Sequence, residues 1–180
     1  MGLWVATVLG LAVVVAYVRG GRLRHLADID LQWWWLLFAG FSMQTGAELL
    51  PDERSWSRAV GVGLILASYV PLVVLAYVNR TRPGMALAGV GMALNFAVIA
   101  INGGMPVLPA AVDLVGGSLP LQLDAKHVLL DDTSILIFLA DIIPLRWLGQ
   151  VLSIGDVLLA VGLAQFLEHE LRRPEPWFRR

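Results

Sequence analysis

Four predominantly apolar stretches, Leu3 to Val18, Leu31 to Leu50, Ala59 to Val78 and Met85 to Ile101, fill the first hundred residues with only short polar or basic turns between them. About 20 apolar residues in a helix rise far enough to cross the roughly 30 Å hydrocarbon layer of a bilayer. In hydrocarbon the backbone must satisfy its own hydrogen bonds, which leaves helices as the economical choice. Hydrophobic residues make up 58% of the 180 positions, a level that belongs to membrane proteins. A fifth stretch, Trp147 to Leu167, completes the pattern. The expected fold is therefore all-α: one polytopic transmembrane helical bundle over residues 1–180, with about five spans (3–18, 31–50, 59–78, 85–101 and 147–167).

Punctuation sets the remaining boundaries. The segment 102–134 carries Gly103-Gly104, Pro106, Pro109, Gly116-Gly117 and Pro120, and is expected to be an extracytoplasmic loop. Ile135 to Ile143 is apolar, too short to cross, and stopped by Pro144, which suits a short interfacial or re-entrant helix over 135–143. Residues 168–180 mix acids and arginines without apolar periodicity and read as a cytoplasmic tail. The first stretch has basic residues behind it (Arg19, Arg22, Arg24) instead of before it, so it is expected to be a retained helix with its N-terminus outside. On that topology nine basic residues fall inside and four outside, an asymmetry that the positive-inside rule favours. Acids run the other way, nine at or near the outer face and five inside.

Small residues at spacing four (Ser42 with Gly46, Gly84 with Ala88, Gly89 with Ala93, Ala160 with Ala164) predict close helix contacts. Gln44 and Asn95, polar inside spans, are expected to bond across helices.

Absences narrow the chemistry. With no cysteine there is no disulfide, thiolate zinc site, iron-sulfur cluster or cysteine nucleophile. No histidine falls within an expected span, against bis-histidine haem, and the single lysine, Lys126, lies in the loop. Phosphate-binding glycine loops and Gly-x-Ser-x-Gly turns are missing. The scattered basic residues exclude a nucleic-acid stripe.

What can carry chemistry gathers in the C-terminal half. Asp124, His127 and Asp131 fall at i, i+3 and i+7, so a helical segment would point all three from one face toward a divalent cation such as zinc or manganese. The simpler alternative is a solvated acidic loop in which His127 bonds a neighbouring carboxylate. No cofactor beyond such a cation is expected. Asp141 and Asp156 are the candidate catalytic pair, brought together by a bend between Pro144 and Gln150. Ser153 three residues before Asp156 is equally a capping box, and Arg146 is an alternative ion-pair partner for Asp156. Glu48, Asn95, Asn102 and Arg146 are the candidate ligand-binding residues of an acidic outer pocket.

Two resemblances attach to these residues. Ser153-Ile154-Gly155-Asp156 resembles the small-x-Gly-Asp element of intramembrane aspartyl proteases such as presenilin and the prepilin peptidases, with Ser153 in place of the first glycine and no Pro-Ala-Leu motif. The block Asn102-Gly103-Gly104-Met105-Pro106-Val107, His127-Val128-Leu129-Leu130, Phe138-Leu139-Ala140-Asp141 with Ile143-Pro144, and Ser153 to Leu158 resembles a family of small bacterial integral-membrane proteins of unknown function, over roughly the C-terminal half and loosely over the whole chain. That resemblance implies a bacterial membrane and no activity. The expected function is a non-enzymatic binding or accessory subunit with an acidic extracytoplasmic pocket. Its expected partners are membrane lipid and a small-molecule ligand or membrane protein subunit. The alternatives are an intramembrane aspartyl protease, a metal-dependent membrane hydrolase, and a proton or cation carrier relayed through Glu48, Asp141 and Asp156.

Overall fold

The computed structural model describes residues 2–51, 56–116 and 126–173. Helices dominate it. In chain order come α1 (Gly2–Val18), a 3-10 turn (Leu23–Asp28), α2 (Trp35–Glu48), α3 (Ser57–Val78) and α4 (Met85–Asn102). The C-terminal part alternates short elements: β1 (Met105–Val107), α5 (Pro109–Leu114), β2 (His127–Leu129), a 3-10 turn (Ile137–Leu139), β3 (Ile143–Leu145), a 3-10 turn (Arg146–Leu148), β4 (Gln150–Leu152) and α6 (Ile154–Leu171).

The expected five-span bundle does not form. Among the described residues only α3 and α4 are long and apolar enough to cross a membrane. Each other stretch falls short for a local reason. The 17 residues of α1 rise only about 26 Å. Trp33 adopts a left-handed backbone (φ 59°), so α2 starts at Trp35 and reaches 14 residues, about 21 Å. The stretch expected from Trp147 loses its first turns to β-structure, and α6 carries Asp156, Glu168 and Glu170 within its 18 residues. The expected short helix over 135–143 is a 3-10 turn running into β3, and the expected loop contains β1, β2 and α5.

Packing is closest where side chains are smallest. Helices α4 and α6 lie antiparallel with glycines at the crossing points, so backbone meets backbone: a Cβ at Gly84 would strike the Gly162 carbonyl, and one at Gly91 would strike the Gly155 carbonyl. Gly84 is doubly constrained, because it also begins α4 with a left-handed φ of 82° that favours glycine. The expected Gly84–Ala88 seam thus faces α6, whereas Gly89 faces Ala76 of α3 and Gly46 faces open space. Gln44 donates to Ser68 across α2 and α3 at 3.2 Å. The core, with Ile65, Tyr69, Leu72, Met92, Val98, Ile99 and Met105 among its buried members, lies mainly between α3 and α4 and reaches β1.

Ion pairs gather at one end of the helices. Arg19 meets Glu168 at 2.7 Å, and the buried Glu170 is held between Arg82 at 3.1 Å and Arg173 at 2.6 Å. Arg82 also donates to the Asp30 carbonyl. The end of α1, the α3–α4 turn and the end of α6 therefore meet there, and residues 102–116 and 126–153 lie toward the opposite end.

Candidate functional site

Two small β-structures place the chemical residues at that opposite end. Strand β1 pairs in parallel with β2, Met105 opposite His127 and Val107 opposite Leu129. The other edge of β1 holds Asp141: its amide donates to the Pro106 carbonyl at 2.9 Å, and its carbonyl accepts from the Leu108 amide at 3.0 Å. With β1 gripping both neighbours, His127 Nε2 stands 3.6 Å from Asp141 Oδ2, an electrostatic contact longer than a normal hydrogen bond.

The expected bend between Pro144 and Gln150 is an antiparallel hairpin. Its strands pair Ile143 with Leu152 and Leu145 with Gln150, and Gly149 takes the left-handed φ of 63° that lets the turn close. A hairpin returns the chain to where it left. Asp141 precedes β3, Ser153 follows β4, and the Ile142 amide bonds the Leu152 carbonyl at 3.1 Å.

At Ser153 the backbone is extended and α6 begins. The Ser153 hydroxyl accepts from the Asp156 amide at 3.0 Å, and Asp156 Oδ2 accepts from the Ser153 amide at 3.3 Å, closing the capping box. Asn95 of α4 then locks both. Its Nδ2 donates to Asp156 Oδ1 at 2.8 Å, and its Oδ1 accepts from the Ser153 hydroxyl at 3.0 Å. All three residues are buried. Asp156 therefore engages Asn95 and Ser153 with both oxygens, while Arg146 lies exposed in the hairpin turn.

Tyr69 of α3 adds a hydroxyl that the sequence did not mark out. It is 2% exposed, packs edge-on against Phe96, and lies within electrostatic reach of Asp141, Asp156 and Lys126 beside the Asn95 amide. Among the described residues its hydroxyl makes no hydrogen bond of normal geometry, and the same is true of Asp141 Oδ1. A signal was available. Tyr17 and Tyr77 sit at helix ends where headgroups can take a hydroxyl, but Tyr69 sits mid-helix, where a buried hydroxyl needs a partner.

Burial pushes the Asp141 carboxyl above its ordinary range, and the Asp156 charge adds to the push; neighbouring His127 and Lys126 pull the other way.

The other candidates are placed apart. Asp124 lies outside the described residues. Residues 127–129 form a strand, so the helical face that would align His127 with Asp131 is absent. Asp131 Oδ1 is occupied locally, accepting from the Thr133 amide and hydroxyl and from Ser134, and the Thr133 groups hold its carboxyl below the usual range. Among the described residues, no three His, Asp or Glu side chains converge as a metal site would need. Asn102 fastens a loop, bonding the Ile135 amide at 2.8 Å and its carbonyl at 3.0 Å. Glu48 is exposed at the end of α2.

The fold and site thus define a helical protein with two helices long and apolar enough to cross a membrane and a buried Asn95–Ser153–Asp156 network, with the buried Tyr69 and Asp141 within electrostatic reach of it. The chain belongs to DUF5317, a family of unknown function whose profile matches residues 28–167. The family likeness therefore reaches well beyond the C-terminal half. An uncharacterized protein of Thermotoga maritima is 37% identical over 160 residues, covering 87% of this chain and 86% of its own. No solved structure matches the chain.

Proposed function

We propose that this is a bacterial cytoplasmic-membrane protein that binds a small polar ligand at the Asp141–Tyr69 cluster. The observation that carries the binding reading is the pair of buried, unpartnered atoms, Asp141 Oδ1 and Tyr69 Oη, beside a network that is otherwise satisfied. Leaving a buried polar group unpaired costs about 1–3 kcal/mol. A ligand that hydrogen-bonds both atoms recovers that cost on binding. An aspartyl dyad needs two carboxylates free to share a proton around a water. Asp156 is committed to Asn95 and Ser153, which favours binding over that chemistry.

Exposed side chains support the membrane part. Trp56 and Tyr77 are exposed at opposite ends of α3, separated by about 32 Å of helix, close to the thickness of a bilayer core. Trp33, Trp34, Trp35, Phe38 and Phe41 are exposed on and before α2, near the end where Gln32 bonds Asn79 at 3.0 Å. Arg80 stacks 4.2 Å from the Tyr77 ring centroid at the same end. Aromatic rings flanked by arginines suit a cytoplasmic headgroup layer, so this end faces the cytoplasm and the Asp141 cluster faces outward.

The test joins two measurements. Membranes of the expressing bacterium are washed with alkaline carbonate, and the purified protein is analysed by native mass spectrometry. Retention in the washed membrane, with an adduct that Tyr69→Phe loses, is the expected result. Release by carbonate would refute the membrane placement, and an adduct unaffected by Tyr69→Phe would refute the site.

A further inference from the structure

We infer that the ligand of this cluster is a small monovalent cation, an alkali ion or the ammonium group of a small amine. The inference rests on the binding reading above and names its ligand class. Its starting point is Tyr69, only 2% exposed, whose hydroxyl lies beside the Asn95 amide without a hydrogen bond of normal geometry among the described residues, and within electrostatic reach of Asp141, Asp156 and Lys126. The second observation is independent: Asp141 Oδ1 is also buried and unpartnered, although Asp141 sits between His127 on one strand and Asp156 across the hairpin.

Chemistry selects the class. The two atoms waiting for a partner are a carboxylate oxygen and a phenolic oxygen, so an anion would be repelled by the first and cannot accept from it. Both are acceptor oxygens, which an ammonium group can meet with its donors and an alkali ion by direct contact. A divalent ion would need more carboxylates than converge here among the described residues. Charge points the same way. Asp141 and Asp156 supply two negative charges, and Lys126 supplies one fixed positive charge within reach of Asp141 and Tyr69. Lys126 has contacts of its own and does not hydrogen-bond Asp141 Oδ1. His127 addresses the other oxygen, Oδ2. Asn95 and Ser153 complete the arrangement by fixing Asp156, with the Asn95 amide beside the Tyr69 hydroxyl.

The remaining clefts and clusters carry less. The shallow cleft of about 400 Å³ formed by Gln165, Glu168, His169, Arg172 and Arg173 has its arginines already paired with Glu168 and Glu170. The Asp131 loop satisfies itself.

The experiment is thermal unfolding of the full chain in detergent at constant ionic strength. Sodium, potassium or methylammonium chloride replaces N-methylglucamine chloride stepwise. A specific cation that binds the native state raises the midpoint by several degrees and saturates, as linkage requires. Asp141→Asn and Tyr69→Phe are expected to abolish the rise. Tyr69→Phe removes only the unpartnered oxygen, so it should keep the fold, as circular dichroism would check. Asp132→Asn, the same charge change on the exposed loop, should leave the rise intact. Saturation by sodium or potassium assigns an inorganic ion, and saturation by methylammonium alone assigns an amine; either supports the inference. A midpoint indifferent to all three cations overturns it. Native mass spectrometry separates the two failures: a neutral adduct lost in Tyr69→Phe would leave the binding site standing, and no site-dependent adduct would remove both.

Discussion

Asn95 Nδ2 donates to Asp156 Oδ1 at 2.8 Å, joining the middle of α4 to the first turn of α6 through a buried, charge-assisted hydrogen bond. One amide therefore anchors the helix cap at which the hairpin ends. Asn95→Ala strips Asp156 of a donor and Ser153 of an acceptor in one step. The expected loss is about 2–3 kcal/mol in denaturant unfolding. Ser153→Ala, which removes the cap and the bond to Asn95 Oδ1 but leaves Asp156 its Asn95 donor, should cost less, about 1–2 kcal/mol. A double-mutant cycle between positions 95 and 156 should give a coupling of about 1 kcal/mol or more; additive losses would mean that the bond contributes nothing of its own.

Asp141 should make stability fall as pH rises. Its carboxyl is raised in the fold, chiefly by burial, so the native state holds the proton more tightly than the unfolded chain. The stability it contributes is complete below the ordinary carboxylate range and is lost as pH climbs through the raised value. In buffer whose only cation is N-methylglucamine, Asp141→Asn should flatten that decline and be the more stable form at neutral pH. Identical pH profiles for the two proteins would show that the buried carboxyl carries no such penalty.

Glycine positions should divide sharply by neighbour. A Cβ at Gly155 would run into the Asn95 side chain and the Gly91 carbonyl, while one at Gly46 or Gly63 meets nothing within 4 Å. Gly155→Ala should therefore destabilise by about 1–3 kcal/mol. In contrast, Gly46→Ala and Gly63→Ala, both inside helices, should stabilise by about 0.5–1 kcal/mol. Thermal unfolding of the three variants side by side decides it.

Glu170 is buried between two arginines, so its partners are not interchangeable with water. Arg82→Ala should cost roughly 3 kcal/mol by leaving the carboxylate half-compensated, more than an exposed pair can. Arg19→Ala breaks the far more exposed Arg19–Glu168 pair and should cost under about 1 kcal/mol. Comparable losses in the two variants, measured by denaturant unfolding, would contradict the burial argument.

The sequence was most legible where one physical rule acted alone. The expected stretches 59–78 and 85–101 match α3 and α4 to within two residues, because length and hydropathy suffice there. The Ser153–Asp156 capping box also forms, since a cap depends only on local spacing. Residues 102–153 were harder. Each strand among the described residues there is three residues long, too short for an alternating pattern, and β1 and β3 both contain a proline, which argues against a strand. What builds them is pairing across distance: Met105 with His127, Ile143 with Leu152. Asp141 and Asp156 were picked out as acids among apolar residues, but the contact between His127 and Asp141 depends on that pairing. Tyr69 went unmarked because a tyrosine in an apolar run looks like any other core aromatic.

The glycine seam between α4 and α6 also bears on how this family can diversify. Where Gly84, Gly91, Gly155 and Gly162 set main chain against main chain, there are no side chains to enlarge or trade, and almost any substitution collides. Only the Gly91–Gly155 crossing lies beside Asn95, and there the wall of the candidate site is closed to variation. Under the proposed binding function, a change of ligand would have to arise on the opposite wall, from the α3 face around Tyr69 and from the strand that carries His127, and relatives with different ligands should differ there and keep the seam.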